Sequence, residues 1–207
     1  MTLPRLGFPP PLTVSFYERD AVRVARELLG KLLVRQSPGG RTLGRIVEVE
    51  AYLAYGDPAC HAARGRTPRN ASMFGPPGRA YVYAIHSRWC FNVVVEPWQV
   101  GSAVLIRAVE PLVGVPLMQR RRGRDKLTEL TRGPARLCEA FDIDRRLDGW
   151  RLGTGRRLWV AADHLPPLAP PEIGCSPRIG ITLASDLPLR FYVRGNPHVS
   201  GPKRWRV

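Results

Sequence analysis

The stretch RIVEVEAYLAYGDPACHAARGRTPRNASMFGPPGRAYVY, residues 45–83, decides how the rest of the chain is read. Both of its ends alternate apolar with other side chains, as half-buried strands do, and its middle is crowded with functional groups. Successive side chains of a strand point to opposite faces. Ile46, Glu48, Glu50 and Tyr52 are therefore expected on one side, with Arg45, Val47, Val49 and Ala51 on the other. Residues two apart on one face lie roughly 6.7 Å apart, so Tyr52 can hold a flat ligand within reach of Glu50, with Glu48 one step back. The loop adds His61, the turn and basic run Thr67-Pro68-Arg69-Asn70, and Met73-Phe74 ahead of Gly75-Pro76-Pro77-Gly78. The second run sets Tyr81, Tyr83 and Ile85 against Ala80, Val82 and Ala84.

Upstream, residues 1–14 form a Pro-rich lead-in. Asp20 then reads as the N-cap of one amphipathic helix, with Ala21, Val24, Ala25, Leu28 and Leu29 on its apolar face and Gly30 as the stop. Leu32–Arg35 reads as a strand and Ser37-Pro38-Gly39-Gly40 as a turn. Downstream, Trp89–Val95 and Ala103–Val109 are buried-strand runs, each broken by one polar residue, Asn92 and Arg107. Buried amides and guanidiniums need partners. Two readings stand for them: Arg107 pairs structurally with Glu48 or Glu110 while Asn92 caps a bulge, or both join a polar cluster facing Glu50. Helices are expected over Pro116–Arg122 and from Gly133-Pro134, with Pro at the tolerated first position. Leu158–Ala161, Ile179–Leu183 and Arg190–Val193 read as short strands, His164–Pro171 as a Pro-rich loop, and Arg194-Gly195-Asn196-Pro197 as a turn. No internal repeat or linker divides the chain, so one domain over residues 1–207 is expected.

Composition narrows the partners. An apolar share of 44% with five Trp argues against disorder, and 21 Pro with 20 Gly argues for a turn-rich surface. The net charge is +15, and all but three of the 32 basic residues (Lys31, Lys126 and Lys203) are arginine, the side chain suited to phosphate forks and base stacking. An arginine-coated surface from a biased proteome explains the charge equally well, so motif context decides. No stretch approaches the length of a spanning helix and no signal pattern opens the chain, which predicts a soluble, cytoplasmic protein with no membrane partner. Cys60, Cys90, Cys138 and Cys175 fall at wide spacings without a C-x-x-C pair; reduced thiols are expected, and only Cys60 beside His61 leaves a metal site open.

Taken as ordered blocks, the sequence resembles the alkylpurine (3-methyladenine) DNA glycosylases, the monofunctional base-excision repair enzymes. The blocks are ARELLGKLLVR (25–35), RIVEVEAY (45–52), HAARGRTPRNASMFGPPGRAYVY (61–83), CFNVV (90–94), AVLIRAVEPL (103–112), LTRGPARLCEAF (130–141), PRIGI (177–181) and PLRFYVRGNPHVS (188–200). The resemblance implies an α+β fold: a single compact domain whose curved, mostly antiparallel sheet carries flanking helices and a protruding DNA-facing hairpin. It implies hydrolysis of the N-glycosidic bond of alkylated purines, 3-methyladenine and 7-methylguanine, flipped from double-stranded DNA, by a monomer with no metal or other cofactor. Glu50 matches the catalytic carboxylate of the family. Arg107 and the Ile179 main-chain carbonyl match its water-positioning groups, so the resemblance favours the functional reading of Arg107. Tyr52, His61 and Tyr83 match the walls of its base pocket, and Asn92 a residue that reads the base edge. Thr67, Arg69, Met73 and Arg178 match DNA-binding positions, and Glu48 matches none with a catalytic role.

The physical chemistry agrees with that expectation. Breaking an N-glycosidic bond builds positive charge on the sugar, which a nearby carboxylate stabilises while accepting a proton from water. Aromatic walls favour a base made cationic by alkylation. A lyase activity needs an amine nucleophile, and no lysine lies in the central stretch. The chain departs from the family in one place, having His86-Ser87-Arg88 where Tyr-Gly-Met is general; the family's tyrosine fills the gap left by the flipped nucleotide, so His86 or Arg88 is expected to intercalate. Two other readings remain open: a DNA-binding or lesion-sensing homologue with little turnover, and a small-nucleotide hydrolase, which the charge disfavours.

Overall fold

In the computed structural model, residues 9–202 are described. Most of the Pro-rich lead-in, and Lys203, lie outside them. The strands are β1 (Leu32–Ser37), β2 (Gly40–Tyr52), β3 (Ala80–Ile85), β4 (Arg88–Val95), β5 (Ser102–Val113), β6 (Leu158–Ala161), β7 (Ile173–Ser176) and β8 (Arg190–Val193). They form one antiparallel sheet in the order β3-β4-β5-β2-β1-β6, with β8 joining β2 and β7 joining β8. Among the described residues five α-helices flank it: α1 (Val14–Tyr17), α2 (Ala21–Leu28), α3 (Val115–Arg122), α4 (Leu127–Leu130) and α5 (Pro134–Phe141). The protein is a single α+β domain.

The long strand β2 organises the sheet. One edge pairs with β5 along its length; the other is shared, with β1 beside residues 40–45 and β8 beside residues 48–50. At the changeover the register with β5 is irregular: Ile46 faces Val109, Glu48 faces Ala108 and Val49 faces Ile106, which leaves Val47 and Arg107 as extra residues. Each such bulge inverts the alternation beyond it. Ile46 therefore joins Val49 and Ala51 in the main core, correcting the expectation that it shares a face with Glu48, Glu50 and Tyr52. Val47 packs instead with Ala108, Tyr192 and Val199.

The expected helix at 21–29 is α2, its start fixed by the Asp20 carboxylate accepting the Arg23 N–H at 2.8 Å. It buries Ala21, Val24, Ala25 and Leu28 against the sheet, and α5 buries Leu137, Cys138, Ala140 and Phe141. The opposite face of β3, β4, β5 and β2 is left to the polar and aromatic row described below. Ile179–Leu183 is not a strand. The sequence there breaks from the ladder at Pro177, Gly180 turns at φ 79°, and the Ile179 N–H is taken by Glu50; the nearby strand is β7. Among the described residues no helix is long and apolar enough to cross a membrane. All four cysteines are unpaired thiols, and Cys175 alone is exposed.

Candidate active site

A single cross-strand row, Tyr81–Asn92–Leu105–Glu50–Arg190, runs over β3, β4, β5, β2 and β8. Residues directly opposite one another share a face, so the register alone brings an aromatic, an amide, an acid and a guanidinium to one side. The bulge at Arg107 aims its side chain onto the same side, between the two acids of β2.

Both acids are 0% exposed, and their surroundings differ. Glu48 accepts from Arg107 Nε (3.0 Å), Arg190 Nε (2.7 Å), the Ser200 N–H (2.6 Å) and Ser200 Oγ (2.9 Å). Burial alone would raise its carboxyl pKa; the Arg107 and Arg190 charges outweigh that and hold it below the usual carboxylate value. Glu50 accepts from the Ile179 N–H on Oε1 (2.7 Å) and from Tyr52 Oη on Oε2 (3.0 Å), and Oε2 forms an ion pair with Arg107 Nη1 at 3.1 Å. Arg107 is thus both the structural partner of Glu48 and the neighbour of Glu50, and the two readings of it coincide. Its own pKa is raised: burial opposes the charge, but Glu50 and Glu48 more than offset this.

All three partners of Glu50 line a cleft of about 460 Å³, within the size of small-ligand sites, roughly 300–1,000 Å³. Tyr52, His61, Tyr81 and Tyr83 supply its rings, and Asn92 and Ile179 also line it. Glu50 itself does not line it; the carboxylate lies behind Tyr52, Arg107 and Ile179. His61 and Tyr83 meet edge to face with centroids 4.6 Å apart, and Tyr81 lies 5.2 Å from Tyr83. His61 Nδ1 is 2.7 Å from Tyr81 Oη. Partial burial, with Arg69 and Arg64 nearby, pushes the His61 pKa below its usual value. Burial raises the Tyr52 and Tyr83 phenols. Asn92 donates through Nδ2 to the Tyr81 carbonyl (3.1 Å).

The remaining expected residues divide. Thr67 and Arg69 are exposed on the loop beside the cleft, where the Asn70 side chain receives the Thr67 N–H (2.7 Å) and ties the loop to the His61 and Gly65 carbonyls. Met73 and Arg178, expected to contact DNA, are 2% and 3% exposed. Met73 packs with Cys60 and Tyr81 and also lines the cleft. Arg178 forms a bidentate pair with Asp57 (2.6 and 2.7 Å), donates to the Ala51 carbonyl (3.0 Å) and lies 4.6 Å over the Tyr52 ring. It supports the wall from behind. His86 and Ser87, at φ 45° and 62°, form the two-residue turn of the β3–β4 hairpin, and Arg88 reaches Glu139 of α5 at 3.5 Å.

Sequence reasoning missed Arg190, Ser200 and Asp57. Arg190 is the charged residue that opens the otherwise apolar strand RFYV, which was the available signal; Ser200 and Asp57 lay in loops and gave none. Cys60 turns inward, its Sγ 3.8 Å from the Gly101 carbonyl. Among the described residues no group of three or more His, Cys, Asp or Glu side chains is arranged to hold a metal ion.

Comparison with known proteins agrees with this architecture. The profile described as Methylpurine-DNA glycosylase (MPG) matches residues 15–197. Proteins bearing the name "Putative 3-methyladenine DNA glycosylase" are similar over nearly their whole lengths. That of Methanoculleus marisnigri is 50% identical over 190 residues, 91% of this chain and 98% of the relative. That of Mesorhizobium japonicum is 49% identical over 195 residues, 94% and 92%. That of Carboxydothermus hydrogenoformans is 46% identical over 187 residues, 90% and 96%. Fold, site and relationships together define a DNA glycosylase for alkylated bases. The chain belongs to the methylpurine-DNA glycosylase family.

Proposed function

We propose that the protein hydrolyses the N-glycosidic bond of 3-methyladenine and 7-methylguanine turned out of double-stranded DNA into the aromatic cleft. The observation that carries this reading is the Glu50 carboxylate, bonded at once to Arg107, Tyr52 and the Ile179 N–H, each of which lines the cleft. A carboxylate offers about four lone-pair sites. Two accept hydrogen bonds and Arg107 stands against Oε2 as an ion pair, which leaves Oε1 a site for the water that Glu50 deprotonates. Arg107 and the Ile179 carbonyl orient that water, and the negative charge of Glu50 stabilises the sugar cation as the bond breaks.

Tyr52, His61 and Tyr83 hold the base, whose alkyl-derived positive charge their π faces favour, and Asn92 reads its edge. Thr67 and Arg69 meet the DNA backbone beside the cleft, Met73 forms part of the cleft lining, and Arg178 serves from behind the wall. Among the described residues no lysine lines the cleft, and on this reading the reaction stops at the abasic site without strand scission. The enzyme acts as a monomer in the cytoplasm, on the nucleoid.

One observation favours a second reading, a lesion-binding homologue with little turnover: Glu50 is wholly covered. The two differ in product. Purified protein incubated with alkylated duplex DNA is expected to release free methylated purine and leave alkali-labile sites, more slowly as salt rises, and to leave free nucleosides intact. Binding without base release would favour the second reading, and cleavage of free nucleosides would contradict both.

A further inference from the structure

Ile85 ends β3 at the mouth of the cleft as a large aliphatic residue that is 47% exposed. It follows Tyr81 and Tyr83 on one face of the strand. It lines both the aromatic cleft and a neighbouring groove of about 310 Å³ that includes Arg64, Thr67 and Arg69. An exposed apolar side chain therefore stands between a slot walled by rings and a groove with two cationic residues. The backbone holds it there: Ile85 pairs with Arg88 across a turn whose two residues, His86 and Ser87, are both non-glycine at positive φ. Conformations of that kind persist where surrounding structure enforces them, and they cluster at functional sites.

A nucleotide leaving a duplex opens a gap in the base stack, and proteins fill such gaps with apolar wedges, isoleucine among them. We propose that Ile85, rather than His86 or Arg88, is the side chain that enters the stack as the damaged base enters the cleft. The inference rests on the reading above, in which the base turns out of the duplex. Spacing fits the role, since Ile85 and Tyr83 are two residues apart on one face, roughly 6.7 Å, so wedge and wall can serve the same nucleotide step. The alternatives fit less well. Arg88 is drawn aside to Glu139, and His86 is polar and lies in the turn itself.

The test compares single-turnover release of 3-methyladenine from two duplexes, one intact and one with reduced abasic sites flanking the lesion, where the stack is already interrupted. Ile85→Ala is expected to slow release from the intact duplex about tenfold or more and from the interrupted duplex by less than about twofold. Ile85→Leu should restore the rate, and His86→Ala should leave both rates near wild type. The inference is overturned if Ile85→Ala matches wild type on the intact duplex, if it loses equally on both substrates, or if His86→Ala carries the loss. Should the wild-type protein release no base from either duplex, the function reading itself fails and takes this one with it.

Discussion

Glu48 and Glu50 stand two residues apart on β2, both fully buried, and their bonding separates their roles. Glu48 takes four donors, two of them guanidinium groups, and none of the four is among the groups that bond Glu50 through a hydrogen bond. Glu50 accepts two hydrogen bonds and pairs with Arg107, and its Oε1 takes only one donor. Replacing Glu48 leaves Arg107 and Arg190 without that shared counter-charge, so Glu48→Gln should cost about 3–5 kcal/mol of stability in urea denaturation at pH 7. Acid exposes the same group. Its folded pKa lies below the ordinary 4.5, so its stabilisation is complete above about pH 4.5 and is lost as pH falls through the lower folded value. Asp57, held down by its bond to Arg178 against the opposing effect of burial, adds loss of the same sign below its ordinary 3.8. The denaturation midpoint of the wild type should therefore fall steeply below about pH 4.5, and that of Glu48→Gln less steeply. Parallel curves would show that Glu48 is not the group titrating.

The elements most legible in the sequence were those with unbroken periodicity. Asp20 and the apolar positions from Ala21 gave α2, and the runs around Tyr81–Tyr83 and Leu158–Ala161 gave β3 and β6. The bulges at Val47 and Arg107 were not legible, because a strand that gains one residue still reads as alternating in a short window; only the pairing with β5 reveals the slip. That slip carried Ile46 to the core and brought Arg107 between the acids. Residues 179–183 looked like a strand because Ile179, Ile181 and Leu183 alternate, yet Gly180 at φ 79° and the demand of Glu50 for the Ile179 N–H make the segment a loop. This loop gives a sharp test. A methyl group at Gly180 would meet no heavy atom within 4 Å, so Gly180→Ala acts through backbone strain alone. We expect a stability loss of about 1–2 kcal/mol with kcat reduced and KM nearly unchanged, because Ile179 shifts from Glu50 while the rings stay in place. A raised KM at full kcat would mean that the loop serves base binding instead.

Across the whole molecule, the sheet works as a platform with two unlike faces: one buries α2 and α5, and the other presents the row from Tyr81 to Arg190. A net charge of +15 suits a polyanionic substrate and raises encounter with DNA of any sequence; in the function we propose, discrimination is left to the cleft. The residues that line this cleft were largely legible beforehand, because Tyr52, His61, Tyr83, Asn92 and Arg107 fall inside blocks shared with a known family. What supports them was not: the Asp57–Arg178 pair and the Glu48–Arg190 pair join positions more than a hundred residues apart, and local spacing carries no trace of such contacts. The account turns on whether Glu50 performs chemistry or merely holds Arg107. Single-turnover release of 3-methyladenine from duplex DNA by Glu50→Gln, with DNA affinity measured alongside, decides between them. We expect release slowed by about 10²–10⁴-fold at undiminished affinity; release within a few-fold of wild type would contradict the role assigned to this carboxylate.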